Sequence, residues 1–297
     1  MKKTGFIGLG IMGRPMASNL VKAGCDLIVY DLNEEAVRAL TALGAKAGTP
    51  DSIGRDCDVI FLSLPNGSIS QSVLFGEGGV CSKIVPGAIV CDTSSVTPSE
   101  AQTCHEKLLE HGVFFVDSPV SGGEPGAIAG TLAFMAGGEQ EAFNELKEYF
   151  DIMGSSAVLI GGSGMGCVTK LANQVIVNLT IAAVSEAFVL STKAGADPIK
   201  VYDAIRGGLA GSAVLDAKIP MIVERNFKPG GKISINHKDI KNVLATAHEI
   251  DVPVPFSAQL FEIQQALKAH GHMDDDHCGY VQYFEALAGV TVQSKEK

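Results

Sequence analysis

Gly8-Leu9-Gly10-Ile11-Met12-Gly13 is the stretch on which the reading of this chain turns. It follows the β-type run Thr4–Gly8 and opens the helical pattern Pro15–Ala23, and that context separates a phosphate-binding turn from an ordinary glycine-rich one. The first glycine permits a tight turn, the second lets backbone approach a pyrophosphate, and the third lets helix and strand pack closely. Unpaired N–H groups and the helix dipole then favour the anion. The next strand pattern ends in Asp31, about 20 residues on, where a carboxylate can accept bonds from both ribose hydroxyls and repel a 2′-phosphate. The expected cofactor is NAD rather than NADP, held by Gly8, Leu9, Gly10, Ile11, Met12, Gly13 and Asp31.

Working outward, the first half of the chain alternates strand and helix patterns. Candidate strands are Thr4–Gly8, Leu27–Asp31, Val59–Leu64, Ala88–Asp92, Phe114–Asp117, Leu132–Ala136 and Ala157–Ile160, with amphipathic Pro15–Ala23 and Asn33–Leu43 between the early ones. This rhythm implies βαβ units and an α/β fold: a doubly wound, mainly parallel Rossmann sheet with helices on both faces. Beyond Gly161-Gly162-Ser163-Gly164 the character changes. One long helical pattern runs from Met165 to Lys193, closed by Gly195, and Ile199–Arg206, Asp239–Ile250, Pro255–Ala269 and Tyr280–Ala288 are helical between Gly and Pro breakers. The expected domains are 1–163, binding NAD, and 164–297, all-helical, joined by the long helix.

Composition bounds the function. The 297 residues are 46% hydrophobic and 19% charged with a formal charge of −10, which supplies a core and argues against nucleic acid, whose phosphates are gripped by clustered Lys and Arg. The seven cysteines are scattered without a CxxC pair, the pattern of reduced thiols in a cytosolic protein. Met1-Lys2-Lys3 superficially opens like a signal peptide, but Arg14 and Pro15 interrupt the apolar run and cleavage would remove the glycine motif. Val175–Leu190, carrying Asn178 and Glu186, reads as too short and polar to span a bilayer. A soluble, cytoplasmic chain is expected.

Three segments carry candidate chemistry. Leu64-Pro65-Asn66 and Asp92-Thr93-Ser94-Ser95 follow strands, at the carboxyl ends where doubly wound sheets bind ligands, although Pro, Asn and Ser are also ordinary turn residues. Asp117-Ser118-Pro119-Val120-Ser121-Gly122-Gly123 offers a hydroxyl and accessible backbone N–H groups to a carboxylate. On the long helix, Lys170, Asn173, Gln174 and Asn178 form one polar stripe in an apolar stretch. Burial disfavours the ammonium form of a lysine, and the helix start disfavours a cation, so Lys170 is suited to give a proton to an alkoxide and take it back. His270, His272, Asp274, Asp275, Asp276 and His277 crowd together near the C-terminus but lack the spacing of a catalytic zinc site; no metal is expected. Cys167 has no accompanying base and reads as a packing residue.

These motifs, in this order and over essentially the whole chain, resemble the 3-hydroxyisobutyrate dehydrogenase-like (β-hydroxyacid dehydrogenase) family. Its glycine motif is matched by Gly8 to Met16, its substrate segment by Asp117 to Gly123, and its catalytic segment by Gly161 to Gln174. The resemblance implies that Lys170 is the general acid/base, that Asn173 and Gln174 lie with the substrate, and that Ser121, Gly122 and Gly123 hold its carboxylate. It further implies that Leu64, Pro65 and Ser95 line the nicotinamide side of the cofactor and that Lys238 closes over it. Gln174 stands where many members carry a second Asn, an amide for an amide. Within the family, Lys170–Val177, Ile205–Ser212 and Arg225–Gly230 resemble members reducing tartronate semialdehyde (2-hydroxy-3-oxopropanoate) to D-glycerate. The partner expected is a small carboxylate or semialdehyde. A sibling acid (3-hydroxyisobutyrate, or 4-hydroxybutyrate with its succinic semialdehyde) is the alternative, and a non-catalytic NAD-binding protein a more distant one. Apolar helical faces and the resemblance imply a homo-oligomer, a dimer or homotetramer.

Overall fold

The computed structural model describes residues 1–294. The chain divides into two compact units, Met1–Lys170 and the part from Leu171 onward.

In the first unit, β1 (Thr4–Ile7), α1 (Gly13–Lys22), β2 (Leu27–Tyr30), α2 (Glu34–Thr41), β3 (Lys46–Ala47), α3 (Pro50–Asp56), β4 (Val59–Leu62) and α4 (Gly67–Phe75) form the opening half. The remainder is β5 (Ile89–Asp92), α5 (Pro98–Glu110), β6 (Phe114–Asp117), β7 (Val120–Ser121), α6 (Gly123–Ala129), β8 (Leu132–Gly137), α7 (Gln140–Met153) and β9 (Gly154–Gly161). The sheet order is β3-β2-β1-β4-β5-β6-β8-β7, with β9 paired to β8. The pairs from β3 to β6 are all parallel, while β8 runs antiparallel to both β6 and β7. The sheet is therefore the doubly wound, mainly parallel one expected.

Side-chain alternation explains why its strands are apolar throughout. Phe6, Val59 and Phe61 enter one core, with Leu20, Phe134 and Phe150. Their neighbours Ile7, Ile60 and Leu62 enter the core on the opposite face, with Val90 and Phe115. Successive residues of a strand point to opposite faces, so a sheet covered on both sides needs apolar residues at every position.

Helix α8 (Met165–Lys193) starts in the first unit and continues through the second, where α9 (Pro198–Ile205), α10 (Ala213–Val223), α11 (Ile233–Glu249), α12 (Pro255–Ala269) and α13 (Val281–Ala288) follow. The second unit is all-helical. Its two cores centre on Val184, Phe188, Leu215, Ile219 and Val281, and on Ile181, Ile240, Leu260 and Tyr280. One helix is new relative to the sequence reading and one is longer. α10 falls between Arg206 and Asp239, where no helix is read from the sequence, and carries Pro220 near its end. α11 begins at Ile233, six residues before Asp239. The expectation that the apolar helix is too short for a bilayer needs correction: α8 has 29 residues and is long and apolar enough by length and composition. Its Ile181, Val184 and Phe188 instead pack into the two cores of the helical unit, beside buried Gln174, Asn178 and Ser185.

Candidate active site

Strand register places the candidate residues of the first unit along one edge. Ile7 is level with Tyr30 and Leu62, Leu62 with Asp92, and Asp92 with Asp117. The turns after β1, β2, β4, β5 and β6 therefore leave from the same side of the sheet. The strand order reverses between β1 and β4, which is where open α/β sheets bind ligands.

The glycine turn fits a dinucleotide. Gly8 has φ 95°, and a Cβ there would lie 2.3 Å from the Ser63 carbonyl oxygen. A Cβ on Gly13 would lie 1.9 Å from the carbonyl oxygen of Gly8, so helix α1 can approach β1 this closely only as glycine. Gly10 differs: a Cβ there would meet nothing within 4 Å. The fold gives no reason for glycine at position 10, whereas a phosphate lying over the backbone does. Nor is the N-terminus of α1 closed by the protein, for Met12 supplies no side-chain cap and the first turn holds no acidic residue. By contrast α2 is capped by Asn33 and α5 by a Thr97–Glu100 capping box. Both oxygens of Asp31 are aimed at this turn's surroundings, accepting from Leu9 N (2.5 Å) and Asn33 N (2.7 Å).

The next two turns are tied together. Ser94 Oγ accepts from Leu64 N at 2.8 Å, and Ser94 N donates to Asp92 Oδ1 at 2.9 Å. Asp92 is buried, which pushes its carboxyl above the ordinary range although Ser94 and Ser70 pull against this. Leu64, Pro65 and Ser95 thus sit on turns fixed from beneath by a buried aspartate. Asn66 takes the ordinary turn role, capping α4 through Ile69 N.

Lys170 stands on the second turn of α8, half-buried, and its Nζ donates to the Val120 carbonyl oxygen at 2.8 Å. Val120 immediately precedes Ser121, and Gly122 and Gly123 follow with φ 133° and 62°. The lysine and the Ser-Gly-Gly turn are therefore neighbours within the first unit. Asp117, fully buried at the end of β6, accepts from Gly164 N (2.7 Å) and Cys167 N (2.8 Å) and closes the start of the lysine helix. Cys167 is itself buried, and burial drives its thiol well up from the ordinary range.

In the helical unit a chain of amides leads inward from Asn173. Asn173 Nδ2 donates to Gln174 Oε1 (2.9 Å), Gln174 Nε2 donates to Asp239 Oδ2 (2.5 Å), and Lys238 Nζ pairs with Asp239 Oδ1 (3.2 Å). Asn178 joins the Gln174 backbone and accepts from Tyr280 OH at 2.8 Å, and Tyr280 accepts from Gln264. One buried carboxylate, Asp239, thus organises Gln174 and Lys238 together. Sequence reasoning assigned no role to Asp117, Asp92 or Asp239; the available signal was three acidic residues inside otherwise apolar or motif-bearing segments. Of the C-terminal cluster, Asp274 pairs with Lys232, His272 with Asp275, and Asp276 with Lys218; no metal-binding group of three occurs among the described residues.

Residues 3–162 match the family model described as the NAD binding domain of 6-phosphogluconate dehydrogenase, and residues 164–284 the one described as NAD-binding of NADP-dependent 3-hydroxyisobutyrate dehydrogenase. The chain is 39% identical to 2-hydroxy-3-oxopropionate reductase of Escherichia coli, over 96% of this chain and 98% of that protein. It is 35% identical to 2-(hydroxymethyl)glutarate dehydrogenase of Eubacterium barkeri, over 98% and 97%. A 3-hydroxyisobutyrate dehydrogenase of Mycobacterium tuberculosis, solved with L-serine, superposes with a TM-score of 0.88 at 26% identity, covering 95% of this chain and 98% of that one. Fold, glycine turn and relatives define an NAD(P)-dependent oxidoreductase acting on CH–OH groups. More particularly, the chain belongs to the 3-hydroxyisobutyrate dehydrogenase-like family, the β-hydroxyacid dehydrogenases, and acts on a small hydroxyacid.

Proposed function

We propose that this enzyme reduces 2-hydroxy-3-oxopropanoate (tartronate semialdehyde) to D-glycerate with NADH, and that Lys170 is its general acid. The observation that carries the site assignment is the 2.8 Å bond from Lys170 Nζ to Val120 O, which keeps an ammonium beside the Ser121-Gly122-Gly123 turn. Support for the substrate is the resemblance to the E. coli reductase and the small-residue run Gly207-Gly208-Leu209-Ala210-Gly211-Ser212.

When bound, the dinucleotide supplies a hydride to the aldehyde carbon. Gly8 to Gly13 hold its pyrophosphate against the N-terminus of α1. Asp31 binds the adenosine ribose, and its negative charge opposes a 2′-phosphate; Leu32-Asn33-Glu34-Glu35 bring no cation to offset it. Leu64, Pro65 and Ser95 border the nicotinamide. Ser121, Gly122 and Gly123 fix the substrate carboxylate, so that its carbonyl is presented in one orientation. Lys170 Nζ donates a proton to the developing alkoxide and recovers one in the reverse direction. Asn173 and Gln174 are assigned to the substrate on the family resemblance, Gln174 holding the Asn173 amide through its Oε1. Lys238 is assigned to the cofactor on the family resemblance alone.

Self-association belongs to the same reading. A groove of about 650 Å³ on the helical unit is lined by Ala183, Ala187, Leu190, Phe284, Leu287 and Ala288, with Leu190 and Leu287 each more than 70% exposed. A second copy covering this apolar face gives a closed oligomer, which sedimentation measures.

A panel of aldehyde acids assayed with NADH and NADPH and ranked by kcat/KM tests the reading. Tartronate semialdehyde with NADH should lead. Succinic or methylmalonate semialdehyde in first place would transfer the assignment to a sibling activity.

A further inference from the structure

We propose that Asp117 is the positioning residue of this reaction: its carboxylate staples the first turn of α8 to the end of β6 and so fixes Lys170 against the Ser121 turn. The inference rests on the reading of Lys170 as the general acid.

The geometry is a two-point attachment with matched spacing. Asp117 Oδ2 accepts from Cys167 N at 2.8 Å, and three residues further along each segment Val120 O accepts from Lys170 Nζ at 2.8 Å. Asp117 Oδ1 adds Gly164 N at 2.7 Å. The segment 117–120 thereby holds the segment 164–170 at its start and at its lysine. Cys167 and Lys170 lie about one helical turn apart, near 5 Å along the axis. A shift of the helix start therefore carries the ammonium with it.

Two features distinguish this attachment from an ordinary helix cap. α2, α4, α5, α9 and α10 are each capped by the residue immediately before them, Asn33, Asn66, Thr97, Asp197 and Ser212. The acceptor for α8 comes from 47 to 50 residues earlier in the chain, so it ties two distant segments together rather than merely ending a helix. It is also a fully buried carboxylate, whereas Asp197, the carboxylate among those caps, is only partly buried. Burial pushes the Asp117 carboxyl up to about 6, against the pull of the Gly164 and Cys167 N–H groups. The titratable groups around it are the Cys167 thiol on α8, and on β5 the Cys91 thiol and Asp92, its register partner. The packing admits no slack: a Cβ on Gly166 would lie 2.2 Å from Met135 O, 2.5 Å from Asp117 O and 2.9 Å from Asp117 Oδ2.

The test compares Asp117→Asn, Gly166→Ala and Lys170→Ala as purified full-length enzymes. Asp117→Asn is isosteric but turns an amide donor toward one of two backbone donors and removes the charge. It should lower kcat about 10- to 100-fold, keep the NADH Kd within about twofold, and move the alkaline limb of the kcat–pH profile downward, since an anion near the acid is gone. Gly166→Ala keeps the carboxylate and wedges the same joint apart; kcat should fall again with NADH binding retained. A merely structural role would lower the amount of active enzyme without moving the pH profile. A folded Asp117→Asn enzyme with wild-type kcat and pH profile overturns the proposal. Failure of both variants to fold overturns it as well, since Asp117 would then be a folding residue. Undiminished turnover by Lys170→Ala would sink the general-acid reading instead, whatever the Asp117 result.

Discussion

Gly10→Ala separates a glycine kept for a ligand from one kept for the fold. The added Cβ meets no heavy atom within 4 Å, and φ at Gly10 lies outside the left-handed region. The substitution therefore costs the free fold nothing sterically and trims the freedom of the unfolded chain, a gain of about 0.4–1 kcal/mol. In a unit of this size that is a Tm unchanged or raised by about 1–4 °C. Cofactor binding behaves oppositely. A methyl over the turn pushes a phosphate off at least one backbone N–H, and a hydrogen bond to a charged group contributes about 1.5–3 kcal/mol, so the NADH Kd should rise about 10- to 100-fold. Gly13→Ala is the contrasting case, because its Cβ falls 1.9 Å from Gly8 O. Helix α1 must retreat, at about 1–3 kcal/mol, and both Tm and affinity drop. Differential scanning fluorimetry and NADH fluorescence titration read the two quantities on the same samples. A Gly10→Ala protein that binds NADH as wild type, or that loses several degrees of Tm, would refute this division of roles.

Lys170→Ala should lower kcat about 10²- to 10⁴-fold, the usual size of general acid catalysis, with the NADH Kd unchanged by titration. Wild-type enzyme should favour NADH over NADPH in kcat/KM, and Asp31→Ser should narrow that ratio; a wild-type preference for NADPH contradicts the role given to Asp31. Lys218→Met removes the cation from Asp276, which is fully buried and accepts from Lys218 Nζ at 2.9 Å, Gly230 N and Gly231 N. An uncompensated buried charge costs about 3–5 kcal/mol, so urea unfolding at pH 7 should show a loss of that size, and a loss below 1 kcal/mol would count against it. The same node sets an acid limit. Burial pushes the Asp276 carboxyl up, but the His277 ring, the Cys278 N–H and Lys218 outweigh it and hold it at about 2. Its folded pKa is lower than its unfolded one, so this stabilisation is present above about pH 4 and is lost as pH falls toward 2. His277 is held at about 4 by burial and by Lys218. Its neutral form favours the fold above about pH 6.5, and that contribution fades between there and pH 4. Stability should therefore decline in two steps on acidification, readable by urea titration at a series of pH values.

The fold was legible where a local pattern had a single physical solution. Strand, glycine turn and helix at the start, and the acid just after β2, specify a nucleotide-binding βαβ unit without help from distant residues. Runs such as Val59-Ile60-Phe61-Leu62 announce a sheet covered on both faces. The helices between β3 and β9 were less legible. α3 and α6 have seven residues each, short enough for capping and turn residues to mask their pattern. α10 carries Pro220, which a helix tolerates near its end when packing supplies the stability.

Within the site, sequence alone singled out Lys170, the Ser121-Gly122-Gly123 turn, Asp31 and the glycines, because each is a residue type poorly explained by its local surroundings. Tertiary structure alone decided what holds them. Asp117 meets the helix of Lys170 across about 50 positions of chain, Ser94 meets Leu64 across 30, and Asp239 meets Gln174 across 65. A local pattern records the conformation a segment prefers. It carries no trace of which distant N–H or amide a buried carboxylate will find, since that partnership exists only once strands in register or packed helices bring the two together.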